Sequence, residues 1–123
     1  MNYEIKIAET GDHIIIKVHG ILTAEIAMQY VRDSHRLGKE KNIHKYLVDL
    51  TEAPNELTTV ANFDFADAKL DQNPDIDRSA IVAWLVAQDD HSHDFMETLT
   101  RNRGHNVKIC RDMESCMEYL GLR

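Results

Sequence analysis

The densest run of chemistry-bearing side chains is Asp89-Asp90-His91-Ser92-His93-Asp94. Imidazole and carboxylate both ligate zinc and related divalent ions, so His91 and His93, flanked by acids, are candidate metal ligands. Adjacent loop residues seldom converge on an ion without a further ligand from elsewhere, and no spacing in the chain fixes one. The competing reading is a solvated helix start with Asp90 or Ser92 as its cap and no metal. A second group is Asp49, Thr51, Glu52 and Asn55. Asp49 could hold a cation or polarise a ligand, but an acid ending a strand more often accepts hydrogen bonds from nearby loop N–H groups. A third is Thr58-Thr59. A phosphoryl group in the first turn of a helix is favoured by the free N–H groups and the dipole; the plainer reading makes them first-turn residues with Asn55 as the cap. Cys110 and Cys116 are too far apart for a Cys-x-x-Cys redox pair, and nothing suggests a disulfide framework. Cys116 shares an apolar stripe with Met113, Met117 and Leu120, so we expect it buried and inert.

Several chemistries lack their motif. The sequence contains no Gly-x-Gly-x-x-Gly, phosphate loop, His-Glu-x-x-His or Gly-x-Ser-x-Gly. A Ser-His-Asp set could be assembled from scattered residues, but no local context supports one. We therefore expect no enzyme activity and no cofactor.

These residues need a scaffold, and hydrophobic periodicity supplies one. Tyr3, Ile5 and Ile7 alternate with Glu4 and Lys6, and after the turn signal Thr10-Gly11-Asp12 the run His13–Val18 alternates again, which predicts an antiparallel hairpin. Thr23 is placed to cap a helix carrying Ile26, Ala27, Tyr30, Val31, Ser34 and Leu37, with Gly38 where a left-handed cap is wanted. Tyr46–Leu50 reads as a short strand, and a second helix runs from Asn55 through Leu57, Val60, Ala61, Phe63 and as far as Leu70. Ala80–Ala87 is apolar throughout, as in a strand covered on both faces. A third helix carries Phe95, Met96 and Leu99; Val107–Cys110 is a last strand; Asp112 caps a fourth helix. The order is β-β-α-β-α-β-α-β-α, and strands joined through helices are expected parallel with right-handed crossovers.

The 123 residues fit one domain, 1–123, with 43% apolar and 28% charged side chains. A net charge of −7 disfavours nucleic acid and anionic membrane surfaces as partners. The start of the chain has no basic stretch before an apolar run, the longest apolar run is too short for membrane insertion, and the cysteine usage fits a reducing compartment; these lead us to expect a cytoplasmic protein.

This element order, at this length, resembles the STAS or SpoIIAA-like domain, with a broader kinship to Sec14-type folds. The residues that carry the likeness are the Gly20-Ile21-Leu22-Thr23 exit from the second strand, the Tyr46–Leu50 strand ending Val-Asp-Leu, the apolar fourth strand and the closing strand plus helix. The resemblance implies a mixed, mostly parallel sheet of five strands with four helices. In that family, anti-sigma-factor antagonists carry a phosphorylatable serine in an Asp-Ser-Ser-Gly-like motif at the start of the helix after the third strand. The matching stretch is Leu57-Thr58-Thr59-Val60, with Thr58 at the phosphoacceptor position, Leu57 in place of the acid and Val60 in place of the glycine. The sequence is most similar to uncharacterised bacterial single-domain members.

In open α/β sheets, ligands favour the carboxyl ends of parallel strands. That edge should gather Thr23, Asp49, Thr51, Glu52, Asn55, Thr58, Asp89, Asp90 and His91. The expected function is a non-enzymatic regulatory module that meets a protein partner, tuned by phosphorylation near Thr58. The alternative is a small ligand (anion, nucleotide or lipid) bound at the same edge. A homodimer through the first or last strand is a further expectation.

Overall fold

The structure, a computed structural model, describes residues 2–66 and 73–122. The chain runs β1 (Tyr3–Ile7), β2 (Ile14–His19), α1 (Ala24–Lys41), β3 (Lys45–Glu52), α2 (Thr59–Asp64), β4 (Ile81–Leu85), α3 (Asp94–Asn102), β5 (Asn106–Cys110) and α4 (Met113–Tyr119). The strands form one five-stranded sheet in sequence order, β1-β2-β3-β4-β5. β1 pairs antiparallel with β2, while β2–β3, β3–β4 and β4–β5 are parallel. The second helix is described only as a six-residue element, and its expected extension to Leu70 lies outside the described residues.

Each parallel crossover steps to the next strand, so with a constant hand the intervening helices fall on one side. The packing agrees. Ile14, Ile16, Val18, Tyr46, Val48, Leu50, Trp84, Val86 and Val107 point into one core, together with Ala27 and Tyr30 of α1 and Met96 and Leu99 of α3. The alternate residues Leu47, Ala83, Leu85 and Cys110 point the other way, against Cys116 and Leu120 of the α4 segment. Beside α4, that second face opens into a groove of about 400 Å³ along β1 and β2, lined by Ile15, Lys17, Leu47, Asp49 and Met113 among others.

β4 lies between β3 and β5 with both neighbours running its way, as its apolar composition predicts, although it is shorter than Ala80–Ala87. Trp84 is buried in it.

Several local expectations are corrected. α1 does not stop at Gly38: it runs on to Lys41, and Asn42, at φ 56°, forms the left-handed cap. Gly38 is required for another reason, since a Cβ there would collide with Tyr46 Oη and lie 2.8 Å from the Ile43 carbonyl. Met113 and Phe95, read as core residues of their helices, are 48% and 39% exposed, each in the first turn of its helix. Cys110 and Cys116 are joined by a disulfide, with their Cα atoms 5.6 Å apart. Cys116 is fully buried as expected, but it is a bridge half and not an inert thiol; period-two and helical patterns say nothing about two side chains meeting across a sheet and a helix. Among the described residues, no helix is long and apolar enough to cross a membrane.

Candidate functional site: the carboxyl rim of the sheet

The rim is built by three loops fastened to one another. The first leaves β2: Gly20 N–H donates to the Glu52 carbonyl and Leu22 N–H to the Pro54 carbonyl. Thr23 then caps α1 by accepting from Ile26 N–H at 3.1 Å. The second loop leaves β3. Asp49 Oδ1 accepts from the backbone N–H (3.0 Å) and hydroxyl (2.7 Å) of Thr51, and Lys17 Nζ reaches its Oδ2 at 3.2 Å. Burial opposes ionisation of Asp49, but donation from Thr51 and Lys17 outweighs it and holds the carboxyl below its ordinary value. Glu52, exposed, takes the same lysine at 2.7 Å. Asn55 is buried: its N–H donates to Ser92 Oγ (2.8 Å), its Oδ1 accepts from Leu57 N–H and its Nδ2 donates to Asn62 Oδ1.

Asn55 therefore does not cap α2. Thr58 does, accepting from Ala61 N–H at 3.1 Å, and Thr59 is the first helical residue. Three residues of Asn55-Glu56-Leu57 are used first to turn the chain, so the competing cap three positions on prevails. Thr58 is exposed at this corner.

The third loop leaves β4. Asp90 Oδ1 accepts from Ser92 N–H at 2.9 Å, and Ser92 Oγ serves Asn55. Neither caps α3, whose cap position is held by His93 without a side-chain bond. His93 is buried, and its Nε2–H donates to the Ala53 carbonyl at 2.9 Å. Burial lowers its pKa against the pull of that carbonyl and of Asp90. His91 is turned outward, with Nδ1 3.1 Å from Asp94 Oδ2 and 3.2 Å from Arg111 Nη2. The two histidines thus point to different partners, and among the described residues no group of three or more His, Cys, Asp or Glu is placed to hold a metal ion. Arg111, absent from the sequence reading, fastens the loop from beyond β5 by donating to the carbonyls of Ala87 (2.7 Å) and Asp90 (2.8 Å).

With the polar groups so engaged, the rim presents apolar and acidic side chains. Ile21 is 58% exposed, and the Leu22–Asn55 bridge and the Asn55–Ser92 bond bring its loop beside the start of α3, where Phe95 is also exposed. Glu25, Glu56 and Asp89 are exposed along the same edge.

A second polar cluster, at the amino ends of the strands, was not singled out from the sequence. His35 of α1 is buried, stacks on Tyr46 with ring centroids 4.7 Å apart and accepts from Asp77 N–H through Nδ1 at 2.9 Å. Burial pushes its pKa down to about 4. His44, Asp77 and Ser79 come together, but not as a nucleophile triad. His44 Nδ1 meets both Asp77 Oδ2 (2.5 Å) and Ser79 Oγ (3.2 Å), the serine donates to Asp77 Oδ1 (2.6 Å), and His44 Nε2 lies by Asn42 Oδ1. An activated serine would have to sit on the imidazole nitrogen opposite the acid. His35, Tyr46 and Asp77 also line a cavity of about 60 Å³, far below the roughly 300–1,000 Å³ of small-molecule pockets. The signals for this cluster were His35 on the inward stripe of α1, one turn after Val31, and Asp77-Arg78-Ser79 directly before a buried strand.

No known family profile matches the chain, and no curated protein matches it. Among solved structures, a crystal structure of an uncharacterized protein of the DUF3478 family from Shewanella loihica PV-4, described as having a SpoIIAA-like fold, aligns with a TM-score of 0.56 at 21% identity, over 97% of this chain and 93% of that one. The helix-backed sheet in sequence order, with β1 reversed at its edge, is a SpoIIAA-like fold.

Proposed function

We propose that the chain is a non-catalytic, STAS-like binding module whose carboxyl rim docks a protein partner. The observation that carries this reading is that Ile21, on the loop after β2, and Phe95, in the first turn of α3, are both exposed on segments that Asn55 ties together. Single exposed apolar residues are ordinary; two large ones on one braced edge form a contact surface. The acidic side chains around them, and the net charge of −7, fit a partner segment that is apolar and basic. A small ligand at the strand ends is less well supported, because Asp49, Asn55 and Asp90 already hold loop groups.

Thr58 stands at the same corner, and its phosphorylation would add charge where its hydroxyl now caps α2. In this reading the added negative charge strengthens docking of the basic partner segment. A cytoplasmic location and a homodimer through the β1 or β5 edge belong to the same reading; sedimentation velocity tests the dimer. The main test is affinity capture from the native host with wild type and with Ile21→Asp/Phe95→Asp. A specific partner lost from the variant, and released from wild type by salt, supports the rim. Equal capture by both overturns it.

A further inference from the structure

Among the described residues, one short helix covers the second face of the sheet, and that helix is fastened by a covalent bond. α4 has seven residues, well below the roughly 12–15 at which an isolated helix begins to hold in water. Its anchors are the Asp112 cap on Ser115 N–H (2.7 Å), the buried side chains of Cys116 and Leu120, and the bridge from Cys116 to Cys110 at the end of β5. The bridge spans a sequence separation of only 6, so it constrains the unfolded chain little and acts chiefly on the local seating of α4. Its open form is also provided for. The Trp84 carbonyl lies 3.6 Å from Cys110 Sγ, a ready acceptor for a thiol, and Leu47, Ala83, Leu85 and Leu120 form the apolar surroundings in which a free cysteine is at home.

We propose that Cys110–Cys116 is a reversible thiol–disulfide latch that sets how firmly α4 covers the second face. The reductant is a dithiol. Its thiolate attacks one sulfur of the bridge, giving a mixed disulfide and a protein thiolate that takes up a proton. The second reductant thiol then displaces the other cysteine, so that the protein gains two thiols and the reductant leaves as its own disulfide. Oxidation reverses the step with a disulfide oxidant. In the open form α4 frays, and the strip Leu47–Ala83–Leu85 becomes continuous with the groove beside Ile15 and Met113. The latch rests on neither Ile21 nor Phe95, although Cys110 is followed by Arg111, which fastens the third rim loop.

The test is hydrogen exchange with mass spectrometry on the full chain, as purified without reductant and after dithiothreitol. The amides of Cys116, Leu120 and Leu122, bonded to the carbonyls of Asp112, Cys116 and Met117, should exchange at least tenfold faster in the reduced chain, while β3 and β4 amides keep their protection. The double variant Cys110→Ala/Cys116→Ala should match the reduced pattern; if it does not fold, the reduced wild-type chain decides. Equal protection of α4 in both states overturns the latch. So does alkylation of both cysteines in unreduced, air-oxidised protein.

Discussion

The two ends of the sheet handle polar residues in opposite ways. At the carboxyl rim, Asp49, Asn55, Thr58, Asp90 and Ser92 are spent on loop N–H groups and caps, so what faces outward is Ile21, Phe95 and acids. At the amino ends, His35 turns inward and stacks on Tyr46, while Asp77 bridges the exposed His44 and Ser79. A concentration of polar residues in the sequence therefore does not mark a reactive site. The polar groups brace loops at one end and, at the other, pack His35 into the core and join His44, Asp77 and Ser79 at its edge; the proposed interaction surface lies where the polar groups have been used up.

The comparison breaks most visibly with pH. His35 is neutral in the folded chain down to about 4 and titrates near 6.5 when unfolded, so the unfolded state binds the extra proton between those values. Stability is complete above pH 6.5 and falls as the pH drops toward 4. We expect a loss of about 2–3 kcal/mol between pH 7 and 4.5 from this residue. Urea melts at both pH values should show it, and His35→Phe should flatten the slope; a wild-type stability that does not change over that range would place His35 in contact with water. At the rim, Ser92→Ala removes the acceptor of the Asn55 N–H and should cost about 1–2 kcal/mol with no pH dependence above 5, read in the same melts. Thr58→Ala loses the α2 cap and should cost about 1 kcal/mol, with faster amide exchange confined to the first turn of α2. An unchanged Ser92→Ala would mean that the three rim loops are not braced through Asn55.

Much of the fold was legible in the sequence because burial writes a period. The strands around Ile5, Ile16 and Val48 alternate, the run around Trp84 is apolar on both faces, and Thr23 and Asp112 sit where caps belong. What was not legible depends on meetings between distant residues. Gly38 looks like a helix stop, and only the approach of Tyr46 reveals it as a spacer. The Cys110–Cys116 bridge needs the end of β5 to lie against α4. At the rim, Asn55, Asp90 and Ser92 are all good caps in isolation, and tertiary hydrogen bonds to one another recruit each of them away from that role. Ile21, between a glycine and a leucine, carries no pattern that separates an exposed contact residue from a core one.

The central claim is that the rim is where a partner sits, and site-specific photocrosslinking tests it most directly. A photoreactive residue at position 21 should give one dominant crosslinked protein in cells of the native host, and the same residue at exposed position 6, on the second face, should not. Crosslinking from position 6 in preference to position 21 would contradict the account and move the binding surface to the sheet face beside α4.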